Sequence, residues 1–162
     1  MDVASLSSIF THWPTDWILI GACAAFVALD AMRSGQARAV ALVLSLPASL
    51  LLIEELPKAL FLGPLSVQLV SPLAQAGIFA AVTVALYFAA HRLIFKFSDN
   101  APPIQALVSG LAAAIVLTVI WLQVPSLDSV WHFGDQVQAV FGVAYRFWWL
   151  LGSYIALAAV RN

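Results

Sequence analysis

The chain has 162 residues, 63% of them hydrophobic and 9% charged, with a net charge of -1. Soluble globular domains hold about 45–50% apolar and about 25% charged residues, so a water-soluble fold of this length has too little interior to hide the apolar excess, which must face lipid. Nucleic acid is not an expected partner either, because gripping a phosphate backbone takes a basic face and only seven Lys and Arg are present.

Residues 1–13 carry no Lys or Arg, whereas a secretory signal starts with a basic segment, so no cleavage is expected. Ser5, Leu6, Ile9 and Phe10 suit a short interfacial turn, and Trp13 and Trp17 flank Pro14 as a helix enters through the headgroup layer. The first span is expected over about 17–32. Within it Gly21 and Ala25 form a small-residue pair at a step of four. The lone Cys23 lies in the same run, forms no internal disulfide and reports no redox compartment. Asp30, near the basic end of this span, either pairs locally with Arg33 at the interface or is a buried partner for a basic residue on another helix.

Arg33, Gly35 and Arg38 make a tight basic turn, and a second span returns over about 37–53. Pro47 inside it removes a backbone hydrogen bond, so the helix kinks and the freed carbonyl needs a donor from a neighbour or water. Residues 54–72, broken by Pro57, Pro64 and Pro72, are too interrupted to cross and are expected to lie on the membrane surface. The paired acids Glu54 and Glu55 read as solvated rather than as an acid–base or cation site. A third span over about 73–90 ends in His91, Arg92 and Lys96, and SDNAPP at 98–103 is a polar loop.

The fourth span, about 104–124, carries Ala106, Gly110 and Ala114 at steps of four, a flat face for close packing that is expected to meet the third span. Trp121 and Trp131 mark the outer interface around Pro125. From Ser126 onward an amphipathic pattern precedes an apolar run, FWWLLGSYIALAAV, that is short for a crossing. Either a surface helix bends into the membrane near Gly142, or a fifth span runs over about 137–160 and holds Arg146 near mid-depth. In the second arrangement Arg146 needs a partner, with Asp30, Asp135 and Asp128 as candidates. In the first its stem packs on Trp149 or Phe147 and its head reaches water.

The expected architecture is therefore all-α and polytopic, one membrane domain of four to five transmembrane helices with a short interfacial segment. Arg33, Arg38, Arg92, Lys96 and Arg161 then share one side and Lys58 the other. Because cytoplasmic loops hold the excess of Lys and Arg, the N-terminus is expected outside.

These residues resemble the colicin V production protein family, small bacterial inner-membrane proteins. The likeness is carried by Asp16 just inside the first span, by the R-G-x-x-R-like turn of Arg33, Gly35 and Arg38, and by ALVLSL at 41–46. It resumes in the third span, its basic end, LVSGLAAAIVL of the fourth and FGVAYRFWWL at 141–150. The chain departs from the pattern in one extra residue in the arginine turn, no acid after Arg38, Pro47, and the apolar extension after Trp149. The resemblance implies a role in peptide-toxin export or envelope homeostasis and no defined enzymatic activity.

Three functions compete on the residues. A non-enzymatic export or envelope protein would pack in the bilayer with a second copy or another membrane protein, through faces such as that of Gly110. A small transporter or channel would run a polar path past Arg146, Asp30 and the Pro47 kink. An enzyme is weakest, because His12, His91 and His132 fall on different loops and no HExxH, GxSxG or phosphate-cradling loop occurs. No catalytic residue, metal ligand or cofactor is expected, and the candidate functional or packing residues are Asp30, Arg33, Arg38, Gly110 and Arg146.

Overall fold

The computed structural model describes residues 15–56, 71–93 and 102–160. The proposed N-terminal turn, the surface segment with Lys58, the polar loop after Ser98, Lys96 and Arg161 lie outside them.

In hydrocarbon there is no water to bond a bare backbone, so each apolar run satisfies its own amides as a helix. The helices are α1 (Thr15–Ser34), α2 (Ala37–Glu55), α3 (Pro72–Leu93), α4 (Pro103–Trp121), α5 (Pro125–Asp128), α6 (Asp135–Val140) and α7 (Val143–Val160), and no strand occurs among the described residues. Five of them, α1, α2, α3, α4 and α7, offer 18 to 21 residues and are apolar enough to cross a membrane. The protein is an all-α, multi-pass helical membrane protein.

Helix boundaries follow from local chemistry. Gly35 takes a φ of 82° directly after α1, the left-handed conformation that glycine adopts without a Cβ clash, and this reverses the chain within two residues. Pro103 and Pro125 open α4 and α5, where a missing N–H costs nothing. The last crossing helix begins at Val143 rather than near residue 137, because the chain breaks at Phe141 and Gly142. A Cβ on Gly142 would stand 2.8 Å from the Gln138 carbonyl oxygen, so this tight joint needs glycine. A surface helix and a crossing helix thus both exist, as α6 and α7.

The core is built around α4. In its apolar window 56% of residues are buried, against 11% in α3 and in α7, which makes α4 the one helix surrounded by the others. It packs on α1, α7 and α2, while α3 packs on α2 and α5. The expected pairing of the third and fourth spans is therefore corrected: α2 lies on α3, and the flat face of α4 is taken by α1. On α1 the face in use is Ala24, Ala28 and Ala31, all buried, whereas Gly21 and Ala25 are exposed. The reason is steric. Gly110 of α4 rests against the backbone of Ala24 and Ala28, and a Cβ there would fall 2.8 Å from the Ala28 Cβ and 2.9 Å from its nitrogen. With little hydrophobic drive between helices in lipid, backbone approach of this kind is what holds them.

Two clusters complete the interior. Val43, Leu46, Phe79, Val116, Ile120 and Leu127 join α2, α3, α4 and α5, and Val119, Phe133, Val137 and Phe141 pin the 133–141 segment beneath the end of α4.

Candidate functional site

The bundle has a charged region at each end and polar contacts between. The acidic end holds Asp16, Glu54, Glu55, Asp128 and Asp135, and the basic end holds Arg33, Arg38, His91 and Arg92.

At the acidic end, Asp16 in the first turn of α1 clasps the segment leading into α6. Its Oδ2 accepts from the Gly134 amide at 2.6 Å and its Oδ1 from the Trp131 indole N–H at 3.2 Å. The Trp121 indole donates to the Trp131 carbonyl at 3.0 Å, tying the end of α4 to the same segment. His132 Nδ1 lies 2.7 Å from Asp128 Oδ1, and Gln138 Nε2 donates to the Phe133 carbonyl at 2.8 Å. All of this is partly exposed, as befits a cap in the headgroup layer.

Arg146, the fourth residue of α7, sits at this end rather than at mid-depth. Its Nε donates to the Phe141 carbonyl at 3.3 Å and its Nη2 to the Leu122 carbonyl at 3.2 Å. None of the acids considered as partners, Asp30, Asp135 or Asp128, meets it in these contacts. The physical reason is that the last carbonyls of a helix have no amide partner and carry partial negative charge, so the end of α4 supplies what an acid would have supplied.

At the basic end, Asp30 meets Arg38 at 3.1 Å and accepts from Ser34 Oγ at 3.5 Å. The partner is Arg38 of the next helix instead of Arg33, in an exposed pair rather than a buried one, because the Gly35 reversal carries the first turn of α2 back over the last turn of α1. Arg33 is exposed. The Gln36 side chain donates to that of Gln105 at 3.3 Å, joining this turn to the start of α4. Asp30 lies fourteen residues along α1 from Asp16, about 21 Å at 1.5 Å per residue, so Asp30 and Arg146 stand at opposite ends of the bundle.

Sequence reasoning singled out Pro47 but not its partner. Proline at 47 leaves the Val43 carbonyl without its helical amide. The Tyr154 hydroxyl of α7 donates to that oxygen at 3.3 Å. The two residues were detectable by depth: Val43 is six residues from the start of α2 and Tyr154 six from the end of α7, each about 9 Å from the basic end at helical rise. Next to Pro47, Thr83 donates to Ser49 at 2.8 Å, and Ser49 donates to the Leu46 carbonyl at 2.7 Å, a polar link between α3 and α2.

No protein-family model, curated protein or solved structure matches the chain. Among the described residues no group of three or more His, Cys, Asp or Glu is placed to share a metal ion. The arrangement is a clasp of Asp16, Arg146 and Trp131 over one end, an ion pair at the other, and a close helix seam at Gly110 between.

Proposed function

We propose that this chain is a non-enzymatic protein of the bacterial inner membrane, N-terminus outside, that serves peptide-toxin export or envelope homeostasis by packing with a second copy or another membrane protein. The role comes from its resemblance to the colicin V production family in Asp16, the Arg33, Gly35 and Arg38 turn and LVSGLAAAIVL. The orientation comes from the charge division between the two ends, since Lys and Arg collect on cytoplasmic loops. The observation that supports the packing reading is the exposed Gly21 and Ala25 pair on α1, a small-residue face left uncovered because α1 gives its Ala24 and Ala28 face to Gly110.

Complementation of a strain lacking the protein tests the role, read as secretion of a peptide toxin and resistance of the envelope to detergent. Gly21→Leu, on a face where a Cβ meets nothing within 4 Å, is expected to fail and Arg146→Leu to complement. The reverse pattern overturns the packing reading in favour of a transporter with a polar path at Arg146. Orientation is tested in a Cys23→Ser background with single cysteines at the exposed Ser129 and Ser34. Ser129→Cys is expected to react with an impermeant maleimide in intact cells, and labelling of Ser34→Cys alone overturns the assignment.

A further inference from the structure

The seam between α4 and α7 opens outward into a slot of about 690 Å3, walled by Val108, Leu111 and Ile115 on one side and Trp148, Gly152 and Ala156 on the other. Its volume falls within the about 300–1,000 Å3 of sites that take a small-molecule ligand. Ala139 and Val140 of α6 close the slot at the acidic end, and the Trp149 indole holds that roof by donating to the Val140 carbonyl at 2.8 Å.

We infer that the slot binds one acyl chain of a phospholipid from the leaflet at the acidic end. The lining selects an apolar ligand. Ser153 and Trp149, which also face the slot, have spent their donors on the Trp149 and Val140 carbonyls. That leaves the Tyr145 hydroxyl and the Trp148 indole as its polar groups, both in the first two turns of α7 at the acidic end, toward the lipid headgroup. Direction and length select a lipid tail. On α7 the slot runs from Tyr145 to Ala156, eleven residues or about 16 Å along a crossing helix, which is half of a hydrocarbon core of roughly 30 Å. The roof selects against a helix from another protein. A spanning helix about 10 Å wide needs a groove open at both faces of the membrane, and this one ends under α6. An acyl chain of the acidic-end leaflet enters from the open outer side, its headgroup beside α6, and lies along the slot below it. Apolar surfaces gain little from mere burial when the solvent is hydrocarbon, so dispersion contact decides the occupant, and a flexible chain follows the slot's irregular wall most closely.

Gly152 permits a clean test, because a Cβ there meets nothing within 4 Å and a larger side chain enters the slot instead of the backbone. Wild type and Gly152→Leu are released from dioleoyl phosphatidylcholine nanodiscs and their retained lipids counted by native mass spectrometry. The wild-type monomer is expected to keep one more phospholipid than the variant. Equal counts overturn the inference, and so does a wild-type dimer that Gly152→Leu converts to a monomer, which assigns the slot to a second copy. A measurement on wild type alone stands apart from the fold of the variant: phospholipid brominated at mid-chain is titrated into vesicles and tryptophan emission followed. Quenching that saturates at low mole fraction is expected for a bound chain beside Trp148 and Trp149. Quenching proportional to the brominated fraction throughout overturns the site.

Discussion

The Tyr154 hydroxyl donates to the Val43 carbonyl that Pro47 leaves without an amide, so a gap in the hydrogen-bond ladder of α2 is closed by a side chain from α7, 111 positions along the chain. The bond does the work of a missing helical hydrogen bond in a medium that offers no water. Its loss in Tyr154→Phe is expected to cost about 0.5–1.5 kcal/mol, the range of intramembrane hydrogen bonds. In a Pro47→Ala background residue 47 regains its N–H, and the Tyr154→Phe cost should shrink toward zero. Unfolding in mixed micelles across this double-mutant cycle measures the coupling. Additive costs would show that the hydroxyl and the proline act independently.

Three glycines of the crossing helices should respond to alanine in opposite directions. At Gly110 the new methyl meets the backbone of α1, and Gly110→Ala is expected to destabilise by about 1–3 kcal/mol, as overpacking does. At Gly21 and Gly152 nothing lies within 4 Å, so the same change should be neutral or stabilise by up to about 1 kcal/mol through helix propensity. Thermal unfolding of the three variants in one detergent gives the comparison.

Asp16 holds the segment before α6 by two hydrogen bonds to a carboxylate. Bonds to charged groups contribute about 1.5–3 kcal/mol, but Asp16 is partly exposed and solvent lowers that figure. Asp16→Ala is therefore expected to raise the hydrogen exchange of the Gly134 amide by about tenfold, equivalent to about 1.4 kcal/mol. The Trp131 emission should shift to the red as its indole loses its acceptor. Exchange at amides near Asp30 should stay as in wild type, since that residue lies at the other end.

Arg146 bridges two carbonyls, one after α4 and one after α6. Lysine has the charge but a single point of donation, so Arg146→Lys should keep one bridge and Arg146→Leu neither. Cross-linking of cysteines placed at Gln123 and Ala144 is expected to slow in the order wild type, Lys, Leu. Equal rates would remove the bridge from any role in seating α7.

The class of the fold was legible in the chain because it depends on quantities that are local. Four apolar runs long enough to cross, and a fifth that is short for it, must be helices in lipid whatever they pack against, and the arginines at their ends lie where the runs stop. Pro47 likewise declares a carbonyl in need of a donor. The break at Phe141 and Gly142 was readable only as one of two alternatives, since the residues on both sides suit a helix and the close approach of Gly142 to Gln138 is a property of the folded joint.

Partnership was not legible. Two small-residue stripes run along α1, one through Gly21 and Ala25 and the other through Ala24, Ala28 and Ala31, and composition does not rank them. Contact with Gly110 does, because the fit of one backbone against another is decided by both helices at once. Arg146 makes the same point at a charged residue. Acids were the side chains to consider, yet its acceptors are main-chain oxygens at a helix end, a group every residue carries and only the tertiary structure brings within reach. The sequence by itself determined that the apolar runs are membrane helices and where their charges lie; the folded joint at Gly142 decided where the last helix begins, and the packing of α4 at the centre decided which faces and which carbonyls the helices meet.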